Sequence, residues 1–148
     1  MTAIHLATPQ DLPRLLPLVA AFHQEFGLDL SQEQRETAIT PLLEGSPYGA
    51  VWLMGPTIAP IGYVIITFGW SVEFGGMDGF VDEIYVRPAV RGRGIATEVL
   101  EQLPKTLAQT GLCALHLEVD RTDEKIVSIY RRQVLKALPA YMLMSRKM

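Results

Sequence analysis

Residues 81–96 constrain the fold of this chain more than any other stretch. The first half is rich in β-branched and aromatic residues, which is typical of a strand, and the second half is a basic, glycine-rich turn leading into a helix. The stretch runs Val-Asp-Glu-Ile-Tyr-Val-Arg-Pro-Ala-Val-Arg-Gly-Arg-Gly-Ile-Ala. Glycines let a backbone approach a ligand closely, and the first N–H groups of a helix have no partner inside the helix. The stretch therefore predicts an anion-binding turn between a strand and a helix, with a pyrophosphate as its natural ligand.

Size and charge narrow the class of protein. A chain of 148 residues can form one domain with its own core, and we predict a single domain over residues 1–148. The net charge of −3 argues against nucleic acid or an anionic membrane as the main partner. No apolar stretch is long enough to cross a bilayer, and residues 1–5 lack the features of a signal peptide. We therefore expect a cytoplasmic protein with no membrane partner.

The single cysteine and the three histidines indicate neither disulfides nor a metal site. One cysteine cannot form an intrachain disulfide, which fits a reducing compartment. Cys113 lies in an apolar run, so we predict a buried strand residue rather than a nucleophile. His5, His23 and His116 are too scattered in the sequence for a metal site, and we expect structural or surface roles for them.

The periodicity of apolar residues predicts a strand, two helices, three strands, and then helix, strand, helix and strand. The helix starts are marked by Thr8 before a proline and by a capping box that begins at Ser31. The predicted strands cover residues 4–6, 50–54, 61–68, 79–87, 112–119 and 141–147, with a turn or loop at 71–78. The later helices cover residues 94–109 and 123–136.

Three phosphate-binding patterns compete for the glycine-rich turn. A P-loop needs a Gly-Lys-Ser/Thr ending, which the chain lacks, and the dinucleotide fingerprint needs a glycine where Thr97 stands. The third pattern, Arg/Gln-x-x-Gly-x-Gly/Ala, is met by Arg91, Gly94 and Ala96. On this motif, the strand before it and Tyr130 after it, the chain resembles the GNAT superfamily of acetyl-CoA-dependent N-acetyltransferases.

The resemblance implies an α/β (α+β) fold and a coenzyme A thioester, acetyl-CoA, as co-substrate. The sheet would be mixed and mostly antiparallel, with a parallel pair of fourth and fifth strands that splay apart and helices on both faces. Backbone groups of the fourth strand would pair with the pantetheine arm, and backbone N–H groups of the turn would hold the diphosphate. The cofactor-binding residues implied are Ile84, Tyr85 and Val86 on the strand, Arg91, Gly92, Arg93, Gly94, Ile95, Ala96 and Thr97 at the turn, and Asp123 before the fourth helix.

The chemistry implied by the resemblance needs a proton acceptor. An alkylamine with a pKa of about 10.4 is almost fully protonated at pH 7, and reaching its neutral form costs about 4–5 kcal/mol. Asp82 and Glu83 could accept the proton. Strand alternation places Glu83 with Tyr85, and the apolar residues on the Asp82 side suggest that this side meets helices, which favours Glu83 as the base. Asp82 as the base, or a structural or substrate-attracting role for both, remains open, since a β-bulge would break the alternation.

The other catalytic roles also come from the resemblance. Tyr130 corresponds to the tyrosine that protonates the departing thiolate, although its helical spacing also fits a core aromatic residue. A backbone N–H near Tyr85 would stabilise the oxyanion, and attack by the amine would be direct, with no covalent intermediate. Loops at residues 22–35 and 69–80 would shape the acceptor site.

Two departures from the family pattern leave an alternative open. Asp123 stands where the family often has asparagine, and Val134-Leu135 replaces a common Gly-Phe pair. A non-catalytic acyl-CoA-binding regulatory domain of the same fold is therefore the alternative to an acyltransferase. The acceptor is an unidentified primary amine, with a small polyamine, lysine, a protein N-terminus and an aminoglycoside as candidates. Homodimers are common in the family, but no residue here decides the oligomeric state.

Overall fold

The computed structural model describes residues 1–132 and 135–148. The chain separates into two compact units, Met1–Glu118 and Val119–Met148, which are described in turn. A short 3-10 turn, Pro9–Asp11, precedes the first α-helix. The described elements are β1 (Ile4–Leu6), α1 (Leu12–Glu25), α2 (Gln32–Leu43), β2 (Gly49–Met54), β3 (Gly62–Ser71), β4 (Gly76–Val86), α3 (Ile95–Ala108), β5 (Leu112–Leu117) and, in the second unit, α4 (Glu124–Arg132).

The described strands form one mixed sheet in the order β1-β2-β3-β4-β5. Each neighbouring pair from β1 to β4 is antiparallel, and β4 and β5 are parallel, as expected for two strands joined by a helix. The predicted fold class, a mostly antiparallel mixed sheet with a parallel pair of fourth and fifth strands, is confirmed. In the described part of the chain, no helix is both long and apolar enough to span a membrane.

The pairing between β4 and β5 ends halfway along β4. The register begins at Met77 and Leu112 and stops at Val81 and Leu117, whereas β4 continues to Val86. The end of β4 remains paired with β3 on its other side. The last part of β4 therefore has a strand neighbour on one side and none from β5 on the other.

Helices cover both faces of this sheet. One face of β2, β3 and β4 packs against α1 and α2 in a cluster of fully or nearly fully buried side chains, which includes Leu15, Val19, Leu53, Tyr63 and Ile65. The buried side of α3, formed by Val99, Leu100, Leu103 and Leu107, follows the helical spacing predicted from the sequence, and α3 contacts β4 and β5. Burying such a side chain contributes about 1.5–3 kcal/mol, so these layers fix where β4 lies.

Several local predictions were wrong. Of residues 71–78, predicted as a turn or loop, 72–75 form a turn, but β3 extends to Ser71 and β4 begins at Gly76, so the strands of this hairpin are longer than predicted. Residues 141–147 form no strand and pair with none in the described chain, and Lys136 is not helical. Cys113 is exposed rather than buried. It lies on β5, which is the edge strand of the sheet among the described residues and has a strand neighbour on one side only.

Candidate active site

A glycine-rich turn lies between β4 and α3, where the sequence predicts an anion-binding turn. A 3-10 turn, Pro88–Val90, follows the strand, and α3 begins at Ile95. Gly92 and Gly94 between them have φ angles of +80° and +79°. Residues with a side chain rarely adopt this left-handed conformation, so both positions require glycine. We call residues 91–97 the phosphate turn.

Backbone N–H groups at the start of α3 are available to a ligand. The first hydrogen bond of the helix runs from the Glu98 N–H to the Gly94 carbonyl, at 3.0 Å. The N–H groups of Ile95, Ala96 and Thr97 therefore precede the first residue that donates within the helix. Arg91 differs from the expectation, because its N–H donates to the Pro88 carbonyl at 3.3 Å and closes the 3-10 turn. The set of candidate amide donors thus begins at Gly92.

The Arg91 side chain holds the phosphate turn in place. Its guanidinium donates two hydrogen bonds to Glu25 on α1, at 2.7 and 2.8 Å, and Nε donates to the Val86 carbonyl at 2.8 Å. It also lies over the Tyr85 ring, 5.4 Å from the ring centre. The hydrogen bond from Arg91, assisted by its charge, lowers the pKa of Glu25. Arg91 is therefore occupied by protein groups, whereas the side chain of Arg93 is exposed.

The backbone of β4 directs alternate residues toward the open side of the strand. The Arg87 N–H donates to the Ile61 carbonyl of the β3 side at 2.8 Å, in the same register as the β3–β4 pairs. Hydrogen bonding in an antiparallel pair alternates, so the backbone groups of Tyr85 point toward β3 and those of Ile84 and Val86 point away. The groups that point away face the side where pairing with β5 has ended. The N–H and carbonyl of Ile84 and the N–H of Val86 can thus receive an extended ligand, whereas the Val86 carbonyl already accepts from Arg91 Nε. Tyr85 lies between these two residues.

A β-bulge separates the two candidate carboxylates. Glu83 pairs with Ile65 and Val81 pairs with Ile66, so Asp82 is the extra residue in the bulge. Glu83 shares a face with Tyr85, as predicted, but that face is the one covered by α1. The expectation that the helices would cover the Asp82 side and leave Glu83 facing elsewhere was wrong, because helices cover both faces.

Glu83 is the centre of a buried polar cluster. His23 Nε2 on α1 lies 2.7 Å from Glu83 Oε2, and the Tyr63 hydroxyl on β3 donates to Glu83 Oε1 at 2.8 Å. The side chains of His23 and Glu83 are 7% and 14% exposed, and Tyr63 is fully buried. We call His23, Tyr63 and Glu83 the Glu83 cluster. It brings an ionisable pair to the strand that ends at the phosphate turn.

Burial controls the protonation of two groups at this cluster. Burial first, and then the charge and hydrogen bond of Glu83, raise the pKa of Tyr63 far above its usual value, so its phenol stays protonated and donates. Asp82 is exposed at the surface of β4, yet partial dehydration of its carboxyl raises its pKa, and the charge of His23 opposes that rise. His23 therefore acts through its charge on Asp82, while it contacts Glu83 directly.

Sequence reasoning missed His23 and Tyr63. His23 was expected to have only a structural or surface role, whereas it contacts the favoured catalytic carboxylate across 60 positions of sequence. One signal was present, because His23 continues the apolar face of α1 formed by Leu12, Leu15, Leu16 and Val19. A histidine on a core-facing stripe needs a polar partner. Nothing in the sequence indicated which partner it would have.

Two predicted site residues belong to the second unit. Tyr130 lies on α4, where burial and then the charge of Asp123 raise the pKa of its phenol. Asp123 caps the start of α4, since its side chain accepts from the Ile126 N–H at 3.1 Å, as expected for an N-cap. Of the Val134-Leu135 pair, Val134 lies outside the described residues.

Comparison with known proteins identifies the family. The model of the acetyltransferase (GNAT) family matches residues 14–134, which include the Glu83 cluster, the phosphate turn and Tyr130. The chain belongs to the acetyltransferase (GNAT) family. This membership confirms the predicted family and the predicted enzyme class, an acyltransferase.

Individual relatives agree with the family. A structure of an integron cassette protein from the mobile metagenome of Cole Harbour Salt Marsh is 30% identical, with a TM-score of 0.84 over 98% of this chain and 90% of that one. Ribosomal-protein-alanine N-acetyltransferase from Brucella melitensis biovar Abortus 2308 has the same fold, at 22% identity and a TM-score of 0.75, over 99% of this chain and 100% of that one. Thialysine N-epsilon-acetyltransferase from Bos taurus is 26% identical over 77 residues, which cover 52% of this chain and 44% of the relative. The chain thus spans less than half of that relative's length.

Proposed function

We propose that this GNAT protein transfers an acetyl group from acetyl-CoA to a primary amine. The observation that carries the proposal is the continuity between the open side of β4 and the phosphate turn. Ile84 and Val86 direct backbone groups to the side where β5 no longer pairs, and the amides of Gly92 to Thr97 follow within one short turn. An extended pantetheine arm and a diphosphate fit these two surfaces in that order.

The role of the phosphate turn rests on backbone groups rather than on side-chain charge. The left-handed glycines at 92 and 94 leave space beside them, since a Cβ at either position would meet nothing within 4 Å. A diphosphate can therefore approach the backbone closely, and the positive end of the α3 dipole favours its charge. Arg93 adds an exposed positive charge. Arg91 fixes the turn to α1 through its ion pair with Glu25.

In this proposal, the acceptor amine loses its proton at the Glu83 cluster, which supplies the role the sequence argument assigned to Glu83. Asp82, the exposed carboxylate of the bulge, attracts the ammonium group; as the alternative base it remains a proposal to be tested beside Glu83. The backbone N–H of Val86 or Ile84, on either side of Tyr85, donates to the oxyanion of the thioester carbonyl.

Tyr130 completes the proposed reaction as the hydrogen-bond donor to the departing thiolate. Its raised pKa keeps the phenol protonated at neutral pH, so the O–H group is available when negative charge develops on sulfur. The sequence resemblance supports this role, and Asp123 is proposed to contact the pantetheine near the start of α4. The acetyl group moves in one direct step from sulfur to nitrogen.

For the acceptor, we propose an amine at the end of a flexible alkyl chain, such as that of a lysine-like amino acid or a small polyamine. The name of the bovine relative specifies the ε-amine of thialysine, which supports this class. The net charge of −3 and the single cysteine support a cytoplasmic enzyme without a nucleic-acid or membrane partner. A homodimer stays a prediction.

The test combines binding and turnover with the full chain. Calorimetry with acetyl-CoA measures binding, and thiol release from acetyl-CoA is then followed with lysine, thialysine, spermidine, an aminoglycoside and an alanine-terminated peptide. We expect binding and amine-dependent thiol release that exceeds hydrolysis without amine. Absence of acetyl-CoA binding would overturn the proposal.

The alternative function, a non-catalytic acyl-CoA-binding domain, has one supporting observation. The Asp123 side chain is engaged in capping α4 and, as a carboxylate, cannot donate a hydrogen bond to the pantetheine as the family asparagine would. Binding of acetyl-CoA without thiol release for any amine would favour this alternative.

A further inference from the structure

The hydrogen bonds around Glu83 specify which nitrogen of His23 carries a proton. A carboxylate only accepts hydrogen bonds, and the Tyr63 hydroxyl already donates to Oε1. The 2.7 Å contact between Glu83 Oε2 and His23 Nε2 therefore needs a hydrogen on Nε2. In a neutral imidazole the other nitrogen, Nδ1, then holds the lone pair. A proton added to Oε2 of Glu83 would reverse this hydrogen bond and shift the imidazole proton to Nδ1, so an ionised Glu83 is what keeps the Nδ1 lone pair available.

The Nδ1 atom of His23 has no hydrogen-bond partner among the described residues, although it is buried. The His23 side chain is only 7% exposed. A buried polar atom without a partner costs about 1–3 kcal/mol, so its presence calls for an explanation. A water or a substrate group that bonds Nδ1 in the working complex would remove this cost.

We propose that His23 is the general base of the acetyl transfer, with Nδ1 as the accepting atom and Glu83 as the positioning residue. This inference rests on the proposed function. The arrangement has the logic of a catalytic base that a third group orients, and an ordinary imidazole has a pKa near 6.5, well suited to accepting protons near neutral pH.

The proton and electron balance is complete within the proposed complex. One water bonded to Nδ1 passes a proton to His23 as it takes one from the ammonium group of the acceptor. The freed lone pair on nitrogen attacks the thioester carbonyl carbon and a C–N bond forms. As the C–S bond breaks, the nitrogen loses a second proton to solvent through the same water and becomes the neutral amide. The thiolate is protonated from the Tyr130 hydroxyl, which recovers its proton from solvent, and the imidazolium releases its proton to solvent.

The charged and titratable groups around His23 fit this role. On β4, Glu83 contacts the imidazole directly, and Asp82 lies close enough for the charge of His23 to lower the pKa of its carboxyl. Tyr63 on β3 stays protonated and fixes the other oxygen of Glu83. On α1 itself, the neighbouring Phe22 ring packs edge-on against the imidazole at 5.8 Å between ring centres, and the nearby Glu25 is paired with Arg91.

The test replaces His23 and varies the basicity of the acceptor. A glutamine in His23→Gln can still donate to Glu83 but cannot accept a proton at neutral pH. We expect kcat/KM for a strongly basic alkylamine to fall about 100-fold or more, and that for an aromatic amine, which is already neutral at the assay pH, to change little. The acidic limb of the rate profile of the wild type should disappear in the variant. Equal losses for both amines, or an unchanged profile, would overturn the proposal.

The matched control is His5→Gln on β1. His5 also has a buried nitrogen without a partner among the described residues, but it lies at the far edge of the sheet from β4. We expect this variant to keep the wild-type profile with both amines. A loss equal to that of His23→Gln would mean that replacing any such histidine disturbs the fold, and the assignment would fall.

Nitrogen NMR of the wild type tests the tautomer without turnover. With acetyl-CoA bound, neutral His23 should carry its proton on Nε2, and protonation of Nδ1 should share the midpoint of the rate profile. A proton on Nδ1 in the neutral form would overturn the proposal, and this measurement decides the matter if His23→Gln fails to bind acetyl-CoA. If the wild type acetylates no amine, the proposed function is wrong. If the wild type is active and His23→Gln has the same activity, only the assignment of His23 as the base is wrong.

Discussion

The phosphate turn and the Glu83 cluster are built in opposite ways. The turn is one continuous stretch in which backbone groups are proposed to bind the ligand and two left-handed glycines set the shape. The cluster joins α1, β3 and β4, and its function lies in side chains that are up to 60 positions apart. The turn should therefore be sensitive to glycine substitution and affect binding, whereas the cluster should be sensitive to charge and affect turnover.

The largest expected effect is the loss of kcat in Glu83→Gln, which tests the role of charge in the Glu83 cluster. Glu83→Gln keeps the size of the side chain but removes the charge that holds His23 and stabilises its imidazolium. We expect kcat to fall about 10²–10⁴-fold while acetyl-CoA affinity, measured by calorimetry, stays within about twofold. Asp82→Asn is the matched control for a neighbouring carboxylate. A greater loss of kcat in Asp82→Asn than in Glu83→Gln would reassign the role to Asp82.

Tyr130 should behave like the cluster, since its proposed contribution also lies in a side chain. Tyr130→Phe removes one hydrogen bond to the developing thiolate, and a hydrogen bond to a charged group contributes about 1.5–3 kcal/mol. We expect a fall in kcat of about 10–150-fold with acetyl-CoA affinity retained. Unchanged turnover would exclude the tyrosine as the donor to sulfur. Weaker acetyl-CoA binding with unchanged kcat would show that Tyr130 contributes to binding instead.

Gly94→Ala tests the turn. An alanine in the left-handed conformation costs about 1–2 kcal/mol, and no neighbouring atom would clash with it. If the turn keeps its shape only in part, acetyl-CoA affinity should fall about 5–30-fold while kcat at saturation changes little. Gly45→Ala, at a φ of +87° after α2, carries the same kind of strain away from the turn. Equal losses of affinity in both variants would show that the effect is on stability rather than on the ligand site.

The smallest effect concerns the ion pair that supports the turn. The pKa of Glu25 is lowered by its hydrogen bond with Arg91, so the pair stabilises the fold above the usual glutamate pKa of 4.5 and loses this contribution as the pH falls through the lowered value. Both side chains are about 40% exposed, which limits the contribution to about 0–1 kcal/mol. Urea unfolding of Glu25→Gln should show a small loss at pH 7 that shrinks once the pH falls below 4.5 and through the lowered pKa of Glu25. A double-mutant cycle with Arg91→Lys isolates the pair, and a loss that does not decrease as the pH falls would assign it to packing.

The same contrast explains what the sequence predicted. The turn was predictable because its signals are local: two glycines at the right spacing, a strand before them and a helix after them. The core faces of α1 and α3 followed from periodicity for the same reason. The bulge at Asp82 was not predictable, because its position depends on how β3 and β4 align, and this alignment decides which carboxylate faces α1. The roles of His23 and Tyr63 could not be predicted without knowing how α1, β3 and β4 pack together.

The local sequence pattern was also not enough to decide whether residues 141–147 form a strand. Residues 141–147 contain enough apolar residues for a strand, but a strand forms only where a neighbour accepts its hydrogen bonds, and the described segment has none. The exposed Cys113 has a similar cause, since an apolar run predicts burial only if both sides of the strand are covered.

The final turn of α1 touches both regions at once. His23 reaches Glu83, Glu25 reaches Arg91, and between them the Phe22 ring lies edge-on to Tyr63 and Tyr85 at 6.3 and 6.4 Å. Replacing the end of α1 in order to change the acceptor would thus also remove the contact between Glu25 and Arg91 that positions the phosphate turn. Changes aimed at the proposed acceptor should therefore leave positions 22–25 untouched.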